Sequence, residues 1–159
     1  MNKVTLVTIC LFFFNLNFSA KKDDNEAKNK SELIKFEEEL KTKPWFKEFN
    51  TLNSEDKVKF IKYLIYNFVG QQTSNTSAYE KANKIQRTAG TEKNPIVSVI
   101  NNFFKDEGIK LFMKPEEGKK FQNVIIPILE KIINTENPDS LKEIQSEKEY
   151  EIFKKWPNK

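Results

Sequence analysis

The chain has 159 residues, a formal net charge of +4, no histidine, a single cysteine, and a single arginine (Arg87) among its 27 basic residues. Without histidine neither a Ser-His-Asp nor a Cys-His pair can be assembled, and no imidazole metal site is available. Arginine is the residue that grips phosphate or carboxylate with a fork of donors, so that mode of recognition is almost absent too.

Residues 1–20 read MNKVTLVTICLFFFNLNFSA. Lys3 gives a short positive start, and residues 4–14 form an uninterrupted run, weakly polar to apolar, of the length of a signal-peptide core. The run is shorter than the ~20 residues of a spanning helix, and Asn15 and Asn17 interrupt its end. We read it as an export signal cleaved after Ala20, although Phe18 is large for the minus-three position; a retained N-terminal anchor is the alternative. Ile9 before Cys10 argues against a lipoprotein signal. Cys10 leaves with the signal, so the mature chain has no thiol for disulfides, zinc, iron-sulfur clusters or nucleophilic attack.

Residues 21–30 (KKDDNEAKNK) are charged at seven of ten positions and read as a solvated spacer. Residues 31–159 are expected to form one domain. Leu, Ile, Val and Phe number 36 in residues 21–159, about a quarter, enough for a packed core. Scarce glycine with abundant Lys and Glu favours helices. The mature net charge of +3 is mixed in sign and is no nucleic-acid footprint.

Ser31 opens the first predicted helix, with Leu33, Phe36 and Leu40 on one face. Pro44 starts a short second helix dense in aromatics: Trp45, Phe46 and Phe49. Ser54 is the expected cap of the third, with Glu55 and Asp56 at its positive end. Val58, Ile61, Ile65 and Phe68 form its stripe, whose burial contributes on the order of 6 to 12 kcal/mol before entropy. Gly70 is its expected C-terminal cap. A weaker helix over 78–89 turns Tyr79, Ala82 and Ile85 inward and ends at Gly90. Asn94-Pro95 starts the next, with Ile96, Val99, Ile100 and Phe103 buried and Gly108 as its end. Residues 109–113 read either as a strand-like link or as part of a bent helix. Pro115 starts a long segment through Asn134, which Pro127 should kink. Asn137-Pro138-Asp139 restarts the chain. Ser146 and Glu149 have capping-box spacing, so a break is expected near Ser146 before Tyr150, Phe153 and Trp156. The fold class is therefore all-α, a compact irregular bundle of six or seven short helices after the N-terminal signal.

Few chemical constellations emerge. Glu37–Glu39 and Glu116/Glu117 are candidates for paired-carboxylate hydrolysis, but adjacent carboxylates diverge on a helix and more simply make a solvated face. Lys57/Lys59/Lys62, Lys119/Lys120 and Lys154/Lys155 could dock acidic polymers, yet glutamates interleave with most of them. Ile125, Ile128, Leu129, Ile132, Phe103, Phe104 and Phe112 could line an apolar cavity, against the ordinary alternative of a close-packed core. Asn29-Lys30-Ser31 and Asn75-Thr76-Ser77 match the glycosylation triplet.

The expectation is an exported, non-enzymatic helical protein that binds another macromolecule, a protein or other extracellular partner. It is secreted, periplasmic or at a cell surface according to its source, uses no cofactor or metal, and has no stable membrane span after cleavage. Trp45, Phe46 and Phe49, with Phe153 and Trp156 near the C-terminus, are interface anchors if exposed and core if buried, and the first three are the candidate binding residues. A carrier of a small apolar ligand such as a fatty acid is the alternative, and a carboxylate hydrolase comes third.

Overall fold

The computed structural model describes residues 31, 34–90, 94–108 and 114–157. The signal, Cys10, the spacer, Asn29-Lys30 and residues 109–113 (with Phe112) lie outside them. The chain divides into Met1–Glu39 and Leu40–Lys159. In the first unit residues 34–39 are helical; the second holds every element from Pro44 onward.

Among the described residues every regular element is a helix. The elements are α1 (Pro44–Thr51), α2 (Ser54–Thr73), α3 (Thr76–Thr88), α4 (Pro95–Asp106), α5 (Pro115–Lys120), a π turn (Phe121–Ile125), α6 (Ile126–Glu136), α7 (Pro138–Gln145) and α8 (Lys148–Lys155). That is more than the six or seven helices expected, for two local reasons. The segment after Pro115 is divided by the π turn, and the last stretch, one helix in that number, divides at the Ser146 break that its capping-box spacing allows.

Two residue types set most starts. Proline occupies the first turn of α1, α4, α5 and α7, where its missing N–H has no helical partner to lose. Asparagine caps α2, α3, α4 and α7 through its side-chain oxygen. Asn53 accepts from the Asp56 N–H at 2.8 Å, Asn75 from Ala78 at 3.0 Å, Asn94 from Ile96 at 3.0 Å and Asn137 from Ser140 at 3.3 Å. The cap of α2 is thus Asn53, one residue before the expected Ser54. Asn53 also donates to the Asp56 carboxylate at 2.9 Å, fixing the cap from both sides.

Helix α2 runs past Gly70 to a left-handed Ser74 (φ 53°). Gly70 is therefore not a terminator. A Cβ there would lie 3.0 Å from the Tyr79 ring, so the glycine lets α3 approach α2 closely. Tyr79 covers that spot while staying 39% exposed, rather than turning inward. Gly90 and Gly108 have the positive φ expected of helix ends, 79° and 70°.

Pro127 is accommodated by a change of helical register. The Ile126 N–H bonds back to Phe121, five residues away. The widened turn comes immediately before the residue that cannot donate to the ladder. The break near Ser146 is present without the capping box. Ser146 Oγ donates to the Glu143 carbonyl at 2.8 Å, Glu147 holds the cap position of α8, and Glu149 is buried elsewhere.

α2 is the central element. It is buried on most of its circumference, with the predicted stripe of Val58, Ile61, Ile65 and Phe68 inside. Helices α3, α4, α6, α7 and α8 pack on it, and α1 pairs with α4. No helix among the described residues is long and apolar enough to cross a membrane.

Candidate functional site

The aromatic segment of α1 is core. Trp45 and Phe49 are 0% exposed and Phe46 4%, so none of the three offers its ring to a partner. Trp45 meets Phe46 at 5.5 Å and Phe103 at 4.9 Å between ring centroids, both edge to face. Its indole N–H donates to Glu107 at 3.0 Å, which satisfies the one polar atom that its burial would strand. Contacts continue from Phe103 to Phe121 at 6.4 Å, from Phe121 to Phe68 at 5.1 Å, and from Phe68 to Trp156 at 5.0 Å. An aromatic spine thus joins the first helix to the last turn of the chain.

The residues suggested as cavity lining belong to the same packing. Ile125, Leu129 and Phe103 are wholly buried and Ile128 nearly so, while Ile132 and Phe104 are half-exposed.

The lysine run of α2 is engaged within the fold. Lys57 is buried, bonds Glu136 at 2.5 Å, and lies 5.9 Å from the Phe49 ring centroid. Lys59 pairs with Glu55 at 2.7 Å in its own helix. Lys62 bridges Glu143 at 2.6 Å and Glu147 at 2.7 Å. From α3, Lys81 reaches Glu149 at 2.6 Å and lies 5.3 Å from the Tyr66 ring. Tyr66 donates to Glu147.

This network pins the α7–α8 corner to α2 and α3, and the titration of its groups follows. Burial pushes Glu147 up, but hydrogen bonds from Lys62 and Tyr66 and the charges of Lys62 and Lys81 outweigh it, so the carboxyl sits below its ordinary value. Burial, then the bond to Glu147, pushes the Tyr66 phenol well up. The gap among Lys62, Ile65, Tyr66, Ile144, Glu147 and Tyr150 has no room for a water molecule. These carboxylates fasten helices.

The carboxylates named from sequence lie elsewhere. Glu38, Glu39 and Glu116 are exposed, and Glu37 and Glu117 are half-exposed. Among the described residues no group of three or more acidic, histidine or cysteine side chains is arranged to hold a metal ion.

A concave site lies at the other end of the spine. A cleft of about 640 Å³ is lined, among the described residues, by Gln72, Thr73, Ser74, Ile152, Lys155, Trp156 and Pro157. The last turn of α2 makes one wall, with its amide and hydroxyl groups. The end of α8 makes the other, with the apolar surface of Ile152, Trp156 and Pro157. Trp156 is half-exposed.

Its position is over-determined. The ring packs edge to face on Phe68, and a Cβ on Gly118 would fall 2.6 Å from its Cη2. Gln122, buried in the π turn, donates to the carbonyls of Phe153 at 2.5 Å and Lys154 at 3.1 Å, holding the end of α8 from beneath. Lys155 on the rim pairs with Glu151 at 2.5 Å.

In sequence, Trp156 and Phe153 belong with Trp45, Phe46 and Phe49 to the aromatic group that anchors a partner if exposed and is core if buried, and the α1 segment, not Trp156, is the favoured contact there. No sequence signal separated it from Trp45; Pro157, which stops the helix there, was the nearest hint that its ring stands at an edge. Neither known family models, curated proteins nor solved structures match this chain.

Proposed function

We propose that this is an exported, non-enzymatic helical protein that binds another macromolecule outside the cytoplasm, and that the cleft beside Trp156 receives it. One observation carries the reading: a large aromatic ring, held rigidly by Phe68 and Gly118, faces an open cleft. Tryptophan in such a setting supplies wide contact area at little entropic cost, as interface anchors do. The polar end of α2, with Gln72, Thr73 and Ser74, stands opposite; the Thr73 hydroxyl is itself engaged, donating to the Val69 carbonyl at 2.7 Å. Export rests on residues 1–20. The non-enzymatic part rests on the sequence, which has no histidine and no cysteine beyond residue 20.

A second reading, a carrier of a small apolar ligand, is favoured by the cleft's volume, which falls within the range of about 300–1,000 Å³ typical of ligand pockets. Site-specific crosslinking separates the two. A photoreactive residue at Lys155, on the cleft rim, is compared in the producing cells with the same residue at Lys47, exposed on α1. Discrete macromolecular adducts at position 155 alone support the proposal. Adducts of lipid mass alone favour the carrier. Equal labelling at both positions refutes the cleft as the site. N-terminal sequencing of the mature protein tests export: an intact Met1 removes the cleaved signal.

A further inference from the structure

We infer that Asn75, in the turn between α2 and α3 beside the cleft, carries an N-linked oligosaccharide. This rests on the export part of the proposed function, because such transfer takes place on chains entering a secretory compartment. It is independent of what the cleft receives.

Asn75-Thr76-Ser77 has the acceptor spacing, with no proline at the middle position. The surroundings leave room for a bulky group. Thr73, Ser74, Thr76, Ser77 and Tyr79 are exposed, and Asn75 itself is half-exposed. Helix α2 ends at Thr73, the chain reverses through the left-handed Ser74, and Asn75 has an extended backbone before α3 begins. The acceptor thus stands in a surface connection rather than inside a helix.

Capping uses only half of the Asn75 side chain. Its Oδ1 accepts the Ala78 N–H at 3.0 Å. A carboxamide has an acceptor on one side and two donors on the other. Among the described residues, Nδ2 of Asn75 donates to no group. Other asparagines spend theirs: Asn53 donates to Asp56 at 2.9 Å and Asn102 to Glu48 at 2.8 Å. Asn94 and Asn137 also cap through oxygen, but a proline follows each and rules out the acceptor pattern.

The donor is an oligosaccharide carried on a lipid pyrophosphate. Nδ2 attacks the anomeric carbon, and a nitrogen–carbon bond forms as the bond from that carbon to the phosphate oxygen breaks. The lipid pyrophosphate leaves with the electron pair, and one amide proton passes to a base of the transferase. Oδ1 takes no part, so the sugar and the cap of α3 coexist on one side chain.

Four residues on, Tyr79 is 39% exposed, and helical side chains lean toward the N-terminus of their helix, back over this turn. The glycan therefore covers one of the large apolar side chains left exposed among the described residues. Its root adjoins Ser74, which lines the cleft.

The test uses the protein purified from its producing cells. Its peptides are treated with an amidase that releases N-glycans in heavy-oxygen water, beside a control without enzyme. Release converts a glycosylated Asn75 to labelled aspartate. Expected is label at position 75 in most chains, above the control. Ser77→Ala should abolish that label with helical circular dichroism unchanged, since it leaves the cap intact, and Ser77→Thr should retain it. Asn75→Gln removes acceptor and cap together, so the Ser77 variants carry the test. Unlabelled Asn75 in a chain that begins beyond residue 20 overturns the glycan and leaves export standing. Unlabelled Asn75 with Met1 intact overturns both, and label that persists in Ser77→Ala overturns the assignment to this triplet.

Discussion

Gly118 and Trp156 make the tightest contact of the described glycines, and a double substitution tests it. A Cβ added to Gly118 would stand 2.6 and 2.9 Å from Cη2 and Cζ3 of Trp156. Carbon atoms rest at about 3.5–4.0 Å, so ring and helix must separate by roughly 1 Å. The ring cannot slide inward, because Phe68 lies edge to face beneath it at 5.0 Å. Overpacking of this kind costs about 1–3 kcal/mol. Replacing glycine in a helix returns up to about 1 kcal/mol. Gly118→Ala should therefore destabilise by about 0.5–2 kcal/mol and lower Tm by several degrees. In a Trp156→Ala background the clash is gone, and the same substitution should become stabilising by up to about 1 kcal/mol. Thermal unfolding of the four proteins by circular dichroism gives the cycle. If Gly118→Ala stabilises equally in both backgrounds, the packing argument is wrong.

Gln122→Met keeps the volume but strips the donor from the carbonyls of Phe153 and Lys154; the loss should be about 1–3 kcal/mol in urea unfolding, with backbone amide exchange at the end of α8 speeding up. Lys81→Met leaves Glu149, 3% exposed, without its 2.6 Å partner. Because Lys81 is partly exposed, the expected cost is about 1–2 kcal/mol rather than that of a deeply buried pair, and much of it should return in Lys81→Met/Glu149→Met. Glu147→Gln tests the corner network by pH. Its folded-state carboxyl is held below the ordinary value, so the stability it contributes is present above that value and lost as pH falls through the folded one. The Tm gap between wild type and Glu147→Gln should close on acidification; a gap that widens would contradict the assignment.

Much of the fold is legible in residue order. The stripe of α2, the Pro and Asn starts and the glycine ends all follow from periods and caps that act within a few residues. The misreadings share a cause. Ser54 yielded to Asn53 because capping depends on which side chain has the extended backbone conformation, and both residue types qualify. Gly70 was a terminator by pattern and a contact point in fact, because the Tyr79 ring arrives from another helix. The aromatic segment was ambiguous for the same reason. Trp45 and Trp156 look alike in sequence, yet Trp45 has helices around it and Trp156 stands at an edge.

By itself, the sequence determined the chemistry this chain lacks and the local structure it adopts: no imidazole, one thiol confined to the first twenty residues, and helices placed by proline, asparagine and glycine. Only tertiary structure decided which groups are engaged and which face solvent. It joined lysines of α2 and α3 to glutamates some seventy to eighty positions away, buried the three rings of α1, and set Trp156 at the mouth of a cleft. The physical reason is that caps and periodicity are short-range, whereas burial is settled by which helices pack together, a property of the whole chain.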